Sequence, residues 1–102
     1  MNPETTESPR QTAIAEAARI LDDPIFAALQ EPARIAVLRR LMELGRADIS
    51  AIAEGLPQER SVVSRHLGQL RAAGLVRDQR VGRQRYYEVD GPAIVARLEA
   101  LP

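Results

Sequence analysis

The 102-residue sequence predicts a mainly α fold (α+β) in which a two-stranded β-ribbon interrupts a series of helices. Three observations predict it. Apolar residues recur at helical spacing from Thr12 to Leu44 and again from Asp48 to Leu75. Gly74 and Gly82 punctuate the only stretch with alternating character, Leu75 to Val89. A last helical pattern follows the break at Gly91-Pro92. The length suits one domain with a small core, to which a second chain could add cover for apolar surface.

Residues 1–11, MNPETTESPRQ, lack an apolar cluster and read as a disordered tail, which leaves 12–102 as the folded domain. Thr12 can cap a helix over Ala13 to Asp22 whose stripe is Ile14, Ala17, Ala18 and Leu21. Asp22 and Asp23 belong to helix-end chemistry before the break at Pro24. Ile25, Phe26 and Leu29 form a short helix ending near Glu31-Pro32. Pro32 fits the first turn of the next helix, where its missing N–H costs nothing. Ile35, Val37, Leu38, Leu41, Met42 and Leu44 make that helix central to the core, and Gly45 stops it.

Asp48 to Leu75 then reads as a short helix, a turn at Pro57 and a longer helix. Asp48 is its N-cap, and Ile49, Ile52, Ala53 and Leu56 are the apolar face of the first helix. On the second, Val63, Leu67 and Leu70 point one way. Arg60, Ser61, Ser64, Arg65 and Gly68 point the other way. Such a pair is a helix-turn-helix, whose second helix enters the major groove of DNA. Gly74 is placed as the residue after the C-cap, with Leu75 packing back on Leu70. Leu75–Arg80 and Gln84–Val89 are two short strands, with Val81-Gly82-Arg83 at the tip. Tyr86 and Tyr87 serve ribbon packing. Ala93 to Leu101 is the last helix, with Ile94, Val95, Leu98 and Leu101 on one side. The order predicts a winged helix-turn-helix. The stripes of the first and last helices (Ile14, Ala17, Ala18, Leu21; Ile94, Val95, Leu98, Leu101) are the expected homodimer interface.

Charge supports a nucleic-acid partner only locally. The chain is neutral overall, but Gln58 to Asp90 holds seven arginines against four acids, a net of +3. Arginine suits bidentate contact with phosphate and guanine. Arg65 is the leading candidate for a base or phosphate contact, and Ser61 and Ser64 are short donors that admit the duplex. Arg60 is a further contact beside Glu59, which can serve the helix N-terminus. His66 either reaches a phosphate or packs against neighbouring helices, and Gln69 extends the face. Arg83 at the wing tip is placed for the minor groove or its phosphates, supported by Arg80 and Arg85.

At this point the sequence resembles the ArsR/SmtB family of bacterial repressors. The matching residues are Phe26-Ala27-Ala28-Leu29, Pro32-Ala33-Arg34-Ile35-Ala36-Val37-Leu38, Ile52-Ala53-Glu54-Gly55-Leu56, Ser61-Val62-Val63-Ser64-Arg65-His66-Leu67, Leu70-Arg71-Ala72-Ala73-Gly74-Leu75-Val76 and Gly82-Arg83 before Tyr86-Tyr87. The resemblance implies a homodimer that binds a pseudo-palindromic operator and blocks transcription until an effector releases it. It also implies two family metal sites, neither of which this sequence supplies. Asp48 and Ser50 stand where the family has a Cys-x-Cys pair. On the last helix Asp90 matches one ligand, but Pro92 stands at the first histidine position, and the later ligand pair falls past Pro102.

With no cysteine and one histidine, thiolate, disulfide and thiol-redox chemistry are excluded, and no metal or other cofactor is expected. No catalytic set appears. No apolar run approaches a membrane span, and a cytoplasmic location is expected. Two other readings stay open at this stage: a winged-helix protein-interaction module without DNA binding, and a sensor whose effector site differs from the family's. The effector could be an organic small molecule or a partner protein.

Overall fold

The computed structural model describes residues 8–100. Nine elements follow in order: α1 (Pro9–Leu21), α2 (Pro24–Ala28), α3 (Pro32–Leu44), β1 (Arg46–Asp48), α4 (Ile49–Glu54), α5 (Arg60–Ala72), β2 (Val76–Val81), β3 (Gln84–Val89) and α6 (Gly91–Glu99). Helices α3, α4 and α5 pack around one core, and the antiparallel sheet closes one side of it. Val37, Leu41, Ile52, Val63, Leu67, Leu70 and Leu75 are its fully buried members.

Local chemistry sets each boundary. Ser8 caps α1: its hydroxyl accepts from the Gln11 N–H, and the Gln11 side chain accepts from the Ser8 N–H, with Pro9 at the first helical position. The helix therefore begins four residues before the expected start at Ala13, and Ser8 rather than Thr12 is the cap. The Ser-Pro-x-Gln pattern is a capping box and outcompetes the lone threonine. The expected boundary between tail and domain falls inside α1, while residues 1–7 lie outside the described residues. Asp23 caps α2 by accepting from the Ile25 N–H. Asp48 caps α4 by accepting from the Ala51 N–H at 2.9 Å, and Asp90 caps α6 by accepting from the Ala93 N–H.

At the end of α5, the Leu75 N–H donates to the Leu70 carbonyl and the Gly74 N–H to the Arg71 carbonyl. That double bond pattern is a Schellman motif, and it needs the positive φ that Gly74 adopts, +80°. Gly82 leads the two-residue turn between β2 and β3 with φ +62°, as a type II′ turn requires at its first central position.

The sheet differs from expectation. The β2–β3 ribbon is present, but a third strand, β1, pairs with β3, giving the order β1-β3-β2. Arg46, Ala47 and Asp48 face Glu88, Tyr87 and Tyr86. Three residues carry no readable alternation, and Asp48 serves both as the last strand residue and as a helix cap. Met42, expected in the core, is 53% exposed, whereas Arg34 is buried. Arg34 donates from Nη1 to the Ala27 and Ala28 carbonyls, so its charge satisfies the C-terminal end of α2.

Helices α1 and α6 bury no residue within the chain. The molecule measures 66 × 24 × 20 Å, and its radius of gyration of 18.1 Å exceeds the roughly 13 Å of a compact domain this long. Helix α6 is tied down by Arg97, which donates to the Ala73 carbonyl and pairs with Asp23. Among the described residues no helix is long and apolar enough to cross a membrane.

Leu41, in the C-terminal half of α3, has no exposed surface. Leu41→Ala is expected to lower unfolding free energy by about 2–5 kcal/mol in urea titration, the range for a buried leucine left as a cavity.

Candidate nucleic-acid interface

Helix α5 is seated by its apolar side. Val63, Leu67 and Leu70 are wholly buried against α3 and α4. The 3.6-residue period then turns Ser61, Ser64, Arg65 and Gln69 to solvent. The two serines are short, and a Cβ added at Gly68 would meet nothing within 4 Å. The helix thus presents a low surface with one long cation. Arg65 makes no hydrogen bond or ion pair to the described residues, so its five donors stay available to an incoming acceptor.

Arg60 is also exposed, but it donates to the Ser50 hydroxyl of α4. It bridges the two helices of the helix-turn-helix rather than standing free. Glu59 occupies the N-cap position of α5 without a side-chain hydrogen bond, so it serves the helix N-terminus by charge alone.

His66 does not belong to the exposed face. It is 2% exposed and lies on the core side of α5. An i to i+1 step rotates the side chain by about 100°, which carries it from the Arg65 face toward the Val63–Leu67 side. Its Nδ1 has no hydrogen-bond partner, and the Glu31 carboxylate at 3.8 Å is too distant for one. Burial, and then the nearby Arg34 charge, push its pKa below the ordinary histidine value, and Glu31 only partly opposes this. His66 is therefore neutral packing, and of the two roles the sequence allowed, the phosphate contact is the one to discard.

The wing carries the remaining candidates. In the β2–β3 register Arg80 lies directly opposite Arg85, and Arg83 stands in the turn. Arg80 and Arg83 are exposed and unpaired among the described residues. Arg85 is not: it donates to the Asp78 carboxylate, which also accepts from Arg71 at 2.9 Å. These bonds hold the Asp78 carboxyl below the usual carboxylate range, the Arg85 hydrogen bond contributing most. Arg77 pairs with Glu88 across the strands at 2.9 Å. Arg46 of β1 lies 4.9 Å above the Tyr86 ring and donates to Gln79. A groove of about 250 Å³ between the start of α4 and the wing is lined by Asp48, Ser50, Arg83 and Arg85 among others. Sequence reasoning missed Asp78, Arg46 and Ser50. Asp78 is one acid in an arginine-rich run, and only the strand register brings it to Arg71 and Arg85.

The described residues contain no group of three or more His, Cys, Asp or Glu able to hold a metal ion. Asp48 and Asp90, at positions where the resemblance implied ligands, are both occupied as helix caps.

A buried-on-one-side second helix, a preceding helix at a tight turn and a β-ribbon tipped with arginine define a winged helix-turn-helix. A family described as helix-turn-helix domain matches residues 29–79, half of the chain. The HTH-type transcriptional regulator Rv2034 of Mycobacterium tuberculosis is 35% identical over 74 residues, covering 72% of this chain and 68% of that protein. The arsenical resistance operon repressor of Escherichia coli is 30% identical over 81 residues, covering 78% and 69%. Among solved structures, the homodimeric winged helix-turn-helix DNA-binding domain of a possible ArsR-family regulator from Mycobacterium bovis superposes with a TM-score of 0.62. Its identity is 32%, over 93% of this chain and 82% of that one. The chain belongs to the ArsR family of winged helix-turn-helix transcriptional regulators.

A histidine with a depressed folded pKa contributes stability that is present above its unfolded pKa and lost as pH falls toward the folded value. Unfolding free energy measured in urea should be level above about pH 7 and decline below about 6.5, by at most about 1.4 kcal/mol per pH unit. His66→Gln should flatten the curve just below about pH 6.5. Asp78 and Asp23, both held below the usual carboxylate range, act only at lower pH.

Proposed function

We propose that the chain works as a homodimer that binds a pseudo-palindromic operator and represses transcription. The observation that carries this is the exposed Ser61–Ser64–Arg65 face on a helix whose other side is fully buried. A helix so seated can lie in a major groove with Arg65 on a base edge or phosphate. Gln69 extends the contact, and Arg60, held against Ser50, meets the backbone near the turn. Arg83 and Arg80 brace the wing on phosphates or in the minor groove, and Arg85, bound to Asp78, supports them from within the ribbon.

Dimerisation is supported by what the single chain leaves uncovered. Ile14, Leu21, Val95 and Leu98 are between 52% and 65% exposed. Ala17 and Ala18 lie on the same stripe of α1, and Ile94 is half-buried at the inner edge of α6. Exposed apolar surface on this scale marks an association face. Leu101, the last residue of the expected stripe, lies outside the described residues. The solved relative from Mycobacterium bovis is itself homodimeric. In a two-fold pair, the two α5 helices would enter grooves about 34–36 Å apart.

A cytoplasmic location, no catalytic activity, and an effector other than a thiolate- or histidine-bound metal complete the reading. The relative in Escherichia coli is a repressor of an arsenical resistance operon. The 102 residues of this chain hold no cysteine, so a thiolate-bound effector does not fit them.

Leu98→Glu should convert the dimer to a monomer in sedimentation analysis and abolish operator binding. Arg65→Ala should weaken binding to the chain's own promoter DNA by roughly 5- to 150-fold, corresponding to about 1–3 kcal/mol of discrimination. Arg83→Ala should weaken promoter and random duplex alike. Wild-type protein that bound its promoter no better than random DNA would overturn the operator reading.

A further inference from the structure

Strand alternation places Val76, Asp78 and Arg80 on one face of β2, opposite Val89, Tyr87 and Arg85 of β3. This face runs outward from the core. Val76 and Tyr87 are buried, Arg80 and Arg85 are exposed, and Asp78 stands at the boundary with its side chain 12% exposed. A single carboxylate oxygen, Oδ2, accepts from Nη1 of both Arg71 and Arg85. Arg71 belongs to the last turn of α5, so one oxygen joins the reading helix to both strands of the wing. Arg80 and Arg85 face each other directly, and like charges at facing positions destabilise a strand pair. Asp78 offsets that repulsion and leaves the cluster of three arginines and one acid at +2.

We propose that Asp78 is a positioning residue for sequence-specific DNA binding: it fixes the angle between the wing and α5 and withholds Arg71 and Arg85 from indiscriminate phosphate contact. The proposal rests on the operator reading above. A β-ribbon on its own is marginally stable and free to flex. The wing follows α5 after the turn at Gly74, and the Asp78 bridge adds a second attachment beyond that pivot. Arg65 on α5 and Arg83 at the tip can meet one duplex together only if that angle is held. The carboxyl stays ionised at neutral pH, because the Arg85 hydrogen bond outweighs the opposing effect of burial and Arg71 adds to it.

The test compares the full chain with Asp78→Asn, which keeps shape and removes charge. Amide hydrogen exchange without DNA should rise several-fold across β2 and β3 while α3 stays protected. Fluorescence anisotropy should show operator affinity down about tenfold with random-duplex affinity unchanged or raised. The log–log salt slope on random duplex should steepen by roughly 0.9 for each arginine newly placed on a phosphate. Arg71→Gln, a half-exposed position that leaves the Asp78–Arg85 pair intact, should also lower operator affinity. If Asp78→Asn does not fold, the Arg71→Gln result decides: no change in wing exchange or operator affinity overturns the proposal. In the double variant the ratio of operator to random-duplex affinity should be no lower than in Asp78→Asn alone, since Arg71 acts on discrimination through Asp78. Unchanged wing exchange, equal losses on operator and random duplex, or an additive loss of discrimination in the double variant would each overturn the proposal. A wild type that prefers no duplex over random overturns the operator reading and this proposal together. A wild type that discriminates, with an Asp78→Asn variant that discriminates equally well, overturns this proposal alone.

Discussion

Three side chains of α5, Val63, Leu67 and Leu70, have no exposed surface, and their burial orients the whole functional surface. A helix pinned along one side cannot roll. With 3.6 residues per turn, fixing that stripe fixes the direction of Ser61, Ser64 and Arg65 as well. The partners in this contact are α3, whose Val37 and Leu41 are equally buried, and α4 through Ile52. Position of the reading face is thus a consequence of apolar packing on the opposite side, and the polar residues themselves contribute little to it. The same logic removes His66 from that face: one residue past Arg65 is about 100° of rotation toward the core.

The charged residues divide into those with a structural partner and those without. Arg34 closes the end of α2, Arg97 joins α6 to Asp23 and to the end of α5, and Arg60 joins α4 to α5. Arg71, Arg77 and Arg85 are paired with carboxylates on the wing. Arg65, Arg80 and Arg83 lack a partner among the described residues. A net charge of zero is compatible with a locally positive surface, because residues 58–90, which form α5 and the wing, hold seven arginines against four acids while the balancing acids lie elsewhere in the chain. Exposed ion pairs of this kind add little stability, so their value lies more in orientation than in energy.

Much of the fold was legible. The Gly74 cap, the Asp48 cap, the Gly82 turn and the α5 periodicity all act within a few residues, and they appear as expected. Ser8 was legible too, since its capping box is local and stronger than the lone Thr12 signal. Strand β1 was not: Arg46 to Asp48 acquires its conformation from pairing with β3 some forty residues later. The exposed Met42 and the buried Arg34 have the same origin. Both depend on which neighbours a helix meets, and periodicity alone does not state that.

The sequence by itself determined the order of the helices and of the β2–β3 ribbon, most of their caps and turns, and the two-sided character of α5, because each rests on interactions between residues close in the chain. Tertiary structure decided which arginines are free. Arg85 and Arg80 have the same residue type and lie on the same ribbon, yet one is bound to Asp78 and the other faces solvent. That difference comes from strand register and from the approach of α5 to the wing. Both are contacts across distance in the chain, set by how the core packs.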